Sequence, residues 1–467
     1  MSAKELPEAE QTYRDSLGIV NKEGKRNWIY PKKPKGRFYN ARSWFSVLLL
    51  GILFVTPFIK IAGHPFMMFN IVDRKFILFG LAFGPHDFYL FAIAVISFIV
   101  FIILFSVIFG RIFCGWACPQ TVFLEMVFRK IEYWIEGDHL SQKRLAAAPW
   151  SGGKIFKKGF KWSIFFALSV IIANTFLAWI IGTDDLFKII TEPVSMHKGG
   201  FIAMLLFSGA FYFVFAWFRE QACILVCPYG RLQGVLLDQK SLVIAYDNVR
   251  GEQRGKLKRN TERELGDCVD CGECVSVCPT GIDIRNGTQL ECVNCTACID
   301  ACDVVMDKVG YKRGLIKFAS SEQIKTRSKF KISARVIGYS VVLVLLLTVL
   351  TILVSNRKPI DVTILRSPGM LFQEQPGGML SNLYSIKLVN KTFDEANITL
   401  KLGGADGKIQ VIGNDIKIES NGVGEAKFLV LLPKEKLTKM NTPLEIEALN
   451  NGQEIGKFKT TFLGKIE

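Results

Sequence analysis

The residues of this 467-residue chain whose types and spacing could do chemistry are its twelve cysteines, which fall into two patterns. Eight form two runs of C-x2-C-x2-C-x3-C: Cys268, Cys271, Cys274 and Cys278 followed by Pro279, then Cys292, Cys295, Cys298 and Cys302. Thiolates at this spacing on a tight loop can wrap one face of an inorganic iron–sulfur cubane. C-x2-C pairs also suit tetrahedral zinc, but a duplicated triplet favours iron–sulfur. The other four stand in Phe113-Cys-Gly-Trp-Ala-Cys-Pro119, which holds Cys114 and Cys118, and in Cys223-Ile-Leu-Val-Cys-Pro-Tyr-Gly230, which holds Cys223 and Cys227. The i, i+4 spacing predicts two thiols on one helix face. Arg111, Arg219 and Arg231 nearby are expected to favour thiolates, and soft thiolates select Cu(I), zinc or iron–sulfur over hard cations. The alternative is that these four merely pack as small hydrophobes; two copies of one motif argue against it.

The eight-cysteine pattern is that of bacterial two-cluster ferredoxins, in which the fourth cysteine of each run ligates the other cluster. The expected sets are therefore Cys268, Cys271, Cys274 and Cys302 for one 4Fe-4S cluster, and Cys278, Cys292, Cys295 and Cys298 for the second. Asp303 replaces the proline that normally follows the last cysteine, which predicts a looser turn and an anionic group beside one cluster.

The elements that must position these thiols follow from composition. Half the residues are hydrophobic, 37 are Phe, and 58 Lys and Arg exceed 42 Asp and Glu. Apolar surplus beside basic surplus is the pattern of a membrane protein and excludes a disordered chain or a single soluble globule; nucleic acid is not expected as a partner. Five stretches are apolar enough to span: Ser43 to Ile61, Tyr89 to Phe109, Phe160 to Gly182, Gly200 to Phe218 and Arg335 to Ser355. Lys60 in the first is expected to snorkel. Basic residues concentrate before the first span (from Lys22 to Arg42) and between the second and third, whereas the loops between the first and second and between the third and fourth hold only Arg74, Lys75, Lys188 and Lys198. That alternation places the N-terminus and residues 219–334 in the cytoplasm and residues 356–467 outside a bacterial inner membrane. The polar first 42 residues show no signal-peptide pattern. All twelve cysteines then lie in a reducing compartment, where disulfides are rare. Each C-x3-C-P motif follows an inward-running span, so the core reads as two parallel hairpins whose symmetry brings the pairs together at the membrane rim.

The expected organisation is a basic tail (1–42), a four-helix core (43–218), a cytoplasmic segment (219–334) carrying the ferredoxin domain at about 262–310, a fifth span (335–355) and an outer domain (356–467). The last 112 residues hold 15 Lys and Arg against 13 Asp and Glu, so the charge belongs to the rest of the chain. Stretches such as Tyr384–Val389, Asn397–Leu402, Ile416–Glu419, Ala426–Leu432, Leu444–Ala448 and Lys457–Phe462, separated by turns at Gly403-Gly404, Asp406-Gly407 and Asn450-Asn451-Gly452, predict six or seven strands of a sandwich. The fold class is α+β: about five membrane helices, an inserted two-cluster ferredoxin domain and a C-terminal immunoglobulin-like β-sandwich.

With these motifs the chain resembles the CcoG/FixG/RdxA family of accessory proteins for cbb-type cytochrome c oxidase. The resemblance rests on Gly63-His-Pro-Phe66, Phe76-Ile-Leu-Phe-Gly80, both C-x3-C-P motifs, Cys227-Pro-Tyr-Gly-Arg-Leu-Gln233, the double cysteine run and Leu383-Tyr-Ser-Ile-Lys-Leu-Val-Asn-Lys-Thr392. It implies a membrane-bound reductase that converts Cu(II) to Cu(I) for oxidase assembly, with Cys114, Cys118, Cys223 and Cys227 as copper or redox thiols. Expected partners are lipid, a cytoplasmic electron donor, and oxidase-assembly or copper-transport proteins met through the outer domain; homo-oligomerisation is left open. Two other readings stand beside it. One is a quinol- or flavin-linked transmembrane relay of the NapH/NosR kind, although His64, His86, His139 and His197 offer no intramembrane haem pair. The other is a redox-sensing assembly scaffold without turnover. No glycine-rich nucleotide fingerprint names the donor, and residues 251–263 read as a solvated linker.

Overall fold

The computed structural model describes residues 23, 25–71, 74–256, 265–367, 371–403, 407–413, 415–437 and 439–464. Lys22, Gly404, Asp406 and residues 257–263 of the linker lie outside them. Long apolar runs must satisfy their own backbone, so they form helices. Five are long and apolar enough to cross a membrane: Arg37–Phe58, Pro85–Phe109, Gly152–Ile181, Lys198–Phe218 and Ala334–Ser355. The first begins at Arg37 rather than Ser43 and stops at Phe58, so Lys60 lies beyond the helix, exposed, in a two-residue strand. The third is longer than the apolar run because Lys158 and Lys161 in its first turns are neutralised by Glu136 at 2.8 and 2.9 Å.

The residues divide into two compact units, one built from residues up to Thr56, Ala94–Ala178 and Thr183–Thr348, the other from Pro57–Ile93, Trp179–Gly182 and Val349 onward. In the first, Phe123, Leu124, Phe128, Phe165, Ile172 and Phe215 form an aromatic core between helices. Phe128 stacks on Phe215 with ring centroids 4.8 Å apart and meets Phe165 edge-on. A second core holds most of the cysteines together with Ile244, Tyr246, Val277, Ile284, Ile299, Met306 and Ile316. Strand Val243–Tyr246 pairs antiparallel with Ile316–Ala319 and closes one side of it.

The cysteine-rich segment is tied to the first spanning helix at its N-terminus, where four backbone N–H groups have no intrahelical partner. The Asp300 carboxylate, on helix Ala297–Val309, accepts from Phe38 N–H at 3.2 Å and Tyr39 N–H at 2.8 Å. An anion is favoured there by the helix dipole as well. Replacing Asp300 by Ala should cost about 1–2 kcal/mol, the upper range for a lost cap, measurable as a fall in melting temperature in detergent that Asp300→Asn shows in smaller degree. Asp303 does not loosen a turn. Helix Ala297–Val309 runs straight through it, and its carboxylate accepts from Gly314 N–H at 3.0 Å and faces Arg37 at 3.7 Å. Proline could make neither contact.

The second unit contains a β-sandwich of nine strands among the described residues, two more than the upper expectation. One sheet orders Lys408–Ile412, Val423–Pro433, Met379–Asn390 and Ile360–Arg366, with Gln373–Gln375 on an end of Met379–Asn390; the other orders Ile416–Ile418, Ala396–Gly403, Asn441–Asn450 and Gln453–Leu463. All pairs are antiparallel. Alternation puts Tyr384, Ile386, Leu388, Phe428, Val430, Ile446 and Phe462 inside. Two buried polar groups staple the sheets: Tyr384 O–H donates to Thr461 O at 2.9 Å, and the Asn382 amide donates to Leu463 O at 2.8 Å.

Candidate functional site

The two cysteine runs fold alike because their spacing demands it. In each, the residue before the second cysteine (Asp270, φ 51°; Asn294, φ 52°) and the residue after it (Gly272, φ 70°; Thr296, φ 68°) take the left-handed conformation. Such turns aim successive backbone N–H groups at a common centre, an arrangement suited to anionic sulfur. A helix follows each turn, Glu273–Ser276 and Ala297–Val309.

Two cavities result. Cys268, Cys271, Cys274 and Cys302 line one, with Tyr246, Met306, Leu315 and Ile316. Cys278, Cys292, Cys295 and Cys298 line the other, with Ile244, Ile282, Ile284 and Val293; Cys274 borders both. Cys271 is exposed, whereas Cys295 and Cys298 are buried. Burial pushes the thiols up: Cys274, Cys292 and Cys302 to about 12 and Cys295 to about 11. They are therefore protonated until a metal displaces the proton. Among the described residues no three His, Cys, Asp or Glu side chains converge to hold a single metal ion; the thiols ring apolar gaps instead. All-sulfur donors, apolar walls and N–H turns fit 4Fe-4S clusters better than structural zinc.

The four remaining thiols share one neighbourhood: Cys118 or Cys227, once ionised, would act on Cys114, and Cys118, Cys114 or Cys227, once ionised, on Cys223. Neither motif is one continuous helix, however. Proline disfavours helical backbone in the residue before it and prefers the first helical position. Cys118 (ψ 125°) and Cys227 (ψ 108°) are accordingly extended N-caps of the helices opened by Pro119 and Pro228. Cys114 lies on the short helix Ile112–Trp116 and Cys223 on a π-turn, Ala222–Val226.

The expected arginine activation is overturned by burial. Desolvation pushes Cys114 up to about 11 and Cys223 to about 12, and also raises Cys118. Of the three arginines, Arg111 acts on Cys114; Arg219 is engaged by Glu132 at 2.6 and 2.7 Å, and Arg231 donates to Leu225 O at 3.4 Å. A residue that cysteine spacing did not single out holds Cys114: the fully buried Gln233, whose Oε1 accepts from Cys114 Sγ at 3.0 Å while its Nε2 donates to Ser106 at 3.2 Å. Its place at the end of Cys227-Pro-Tyr-Gly-Arg-Leu-Gln233 was the available signal. Among the described residues His64, His86, His139 and His197 join no group of three His, Cys, Asp or Glu side chains that could hold a metal ion; His64 stacks on Phe393 and His197 pairs with Glu192 at 2.6 Å.

The first C-x3-C-P motif also touches the second cysteine run. A Cβ on Gly115 would strike Val293 O and lie 2.9 Å from the Asn294 carbonyl carbon. Only glycine permits this approach, which sets the backbone between Cys114 and Cys118 against the backbone between Cys292 and Cys295.

Known proteins share these parts. Residues 218–321 match a 4Fe-4S dicluster domain, residues 91–144 a 4Fe-4S binding domain, and residues 350–465 the immunoglobulin-like fold at the C-terminus of FixG. The chain is 32% identical over 94% of its length to Protein RdxA of Cereibacter sphaeroides, covering 98% of it. It is 35% identical over 63% of its length to the nitrogen fixation protein FixG of Rhizobium meliloti, covering 58% of that protein. A crystal structure of a FixG-related protein from Vibrio parahaemolyticus aligns in full with 24% of the chain at 21% identity and a TM-score of 0.21. Cluster-binding domains, apolar helices and a near full-length relative together make this chain a membrane iron–sulfur electron-transfer protein of the FixG/RdxA family.

Proposed function

We propose that the protein carries single electrons through its two clusters to Cu(II), and that thiols from among Cys114, Cys118, Cys223 and Cys227 hold the copper as it becomes Cu(I), for use in assembling a cbb-type oxidase. The observation that carries this reading is the direct packing of Gly115, between Cys114 and Cys118, on the Val293–Asn294 backbone beside Cys292. In this reading Cys268, Cys271, Cys274 and Cys302 hold one cluster, and Cys278, Cys292, Cys295 and Cys298 the other. When bound, the clusters supply one-electron carriers at the surface and beside the rim.

The chain's residues set the direction. Cys271, the exposed thiol of the eight, offers the approach for a one-electron donor protein. Cys114, Cys118, Cys223 and Cys227 supply soft sulfur that prefers Cu(I) to Cu(II), which favours the reduced ion. The stoichiometry is one electron from the donor per Cu(II) reduced. Because buried thiols start protonated, copper binding releases protons. The basic loops would place the cysteines on the cytoplasmic side of a bacterial inner membrane, leaving the β-sandwich outside to meet assembly or copper-transport partners.

The test uses anaerobically purified protein reduced with dithionite and freed of excess reductant. Cys114→Ser combined with Cys118→Ser should keep about eight irons per chain and slow Cu(II) reduction at least tenfold, followed as Cu(I)–chelator absorbance. An unchanged rate at full iron content would refute the rim site.

A further inference from the structure

Arg111 follows the second spanning helix, next to Gly110, where a Cβ would lie 3.2 Å from Asn294 Nδ2 of the second cysteine run. Its side chain is buried, with the residue only 5% exposed, and Nε and Nη1 have no hydrogen-bond partner. No carboxylate pairs with it among the described residues, unlike the buried Arg129 and Arg219, which face Glu125 and Glu132. Its Nη2 lies 2.6 Å from where a Gly230 Cβ would be, so the second C-x3-C-P motif makes room for it with a residue lacking a side chain. Its charge reaches Cys114 of the first motif and Cys292 of the second cysteine run. A buried guanidinium without a counter-ion is costly. Anionic sulfur is the compensation that its surroundings offer.

The other cavity is built differently. Arg285 is the cation whose charge acts on Cys274, but it is engaged by Asp270 at 2.5 Å and Asp283 at 2.7 Å. Asp303 adds negative charge at Cys302. Arg42 adds positive charge at Cys295, on the same side as Arg111.

We propose that Arg111 is a positioning residue that makes the cluster of Cys278, Cys292, Cys295 and Cys298 the more easily reduced of the two, and so draws the electron to the rim thiols. This rests on the two-cluster part of the proposed function and is independent of copper. A fixed cation beside a cluster stabilises the form carrying the extra electron.

Anaerobic redox titration with dithionite, which donates the single electrons, followed by electron paramagnetic resonance, tests it; signals are assigned by their loss in Cys292→Ser and Cys271→Ser. Arg111→Gln should make the rim-side cluster about tenfold harder to reduce at a given potential, a downward shift of about 59 mV for one electron. Arg111→Lys should restore most of it, and the other cluster should not move. Equal potentials in wild type and Arg111→Gln at full iron content, or an equal shift in both clusters, would overturn the proposal. If the Gln variant loses iron, Gly230→Ala, which displaces Nη2 and keeps the charge, should shift the rim-side cluster alone; no shift there would also overturn it. If wild type lacks about eight irons and acid-labile sulfide, the two-cluster reading fails instead.

Discussion

Replacing Cys302 with Ser should abolish the cluster built on the other cysteine run and spare the one built on its own. Iron is expected to fall from about eight per chain to about four, and the surviving paramagnetic signal should match that of Cys271→Ser, not that of Cys295→Ser. The reason is geometric. Helix Ala297–Val309 runs between the two cavities, and four residues, about 6 Å along its axis, separate Cys298 from Cys302. Cys298 lines the cavity of Cys278, Cys292 and Cys295, whereas Cys302 lines that of Cys268, Cys271 and Cys274. The cysteines whose ionisation would act on Cys302 are Cys274, Cys271 and Cys268, with Asp303 beside them. Cys278→Ser should give the reciprocal loss. If Cys302→Ser instead removed the signal that Cys295→Ser removes, the exchanged allocation would be wrong and each run would hold its own cluster. Because both cavities share a core with Cys114, Tyr246 and Ile316, loss of one cluster should also lower the melting temperature of the variant.

Covalent spacing is the reason that so much of the site is legible in the sequence. A C-x2-C-x2-C-x3-C run needs a particular loop to use its thiols, and the left-handed residues Asp270, Gly272, Asn294 and Thr296 repeat that loop twice. Apolar runs with basic flanks announce the helices for an equally local reason. What eluded the sequence depends on contacts between distant segments. The effect of Asp303 is set by Gly314 and Arg37, not by the turn chemistry of its neighbours. The i, i+4 expectation for Cys114 and Cys118 overlooked what Pro119 does to the residue before it. Arginines near a thiol in sequence suggested activation, but burial acts on Cys114 and Cys223 more strongly than the charges do. Strands Ile360–Arg366 and Lys408–Ile412, beyond the six stretches named from the sequence, carry the same alternation, with Ile360, Val362 and Ile364 and with Ile409 and Val411 toward the core, and pair with Met379–Asn390 and Val423–Pro433.

Glu132→Gln should destabilise the protein by about 3–5 kcal/mol, the cost of breaking a buried ion pair, and should displace the second C-x3-C-P motif. Glu132 sits in a charged seam with Glu125 and Arg129, seven and three residues before it, and Glu136, four residues after it. Arg219 grips both its oxygens at 2.6 and 2.7 Å, and Lys161 stands 3.4 Å away. Arg129 joins Glu125 at 2.9 Å and Glu220 at 3.5 Å, and Arg26 meets Glu220 at 3.2 Å. Burial alone would raise the Glu132 carboxyl, yet Arg219, Lys161 and Arg129 hold it well down, at about 2. A depressed carboxylate contributes stability fully above its ordinary value, 4.5, and loses it as pH falls through about 2. Wild type should therefore lose stability between these limits, and Glu132→Gln should lose less over the same range. Arg219 lies four residues before Cys223 with a left-handed backbone (φ 53°), so releasing its side chain frees the turn that seats Cys223 and Cys227. The variant should keep its iron and lose the proposed Cu(II) reduction, and Glu132→Gln with Arg219→Met should regain stability because no unpaired charge remains buried. Thermal unfolding in detergent from about pH 2 to 8, with iron counts on the same samples, decides it: a melting temperature at neutral pH within about 1 °C of wild type in Glu132→Gln would show that the seam does not hold the motif.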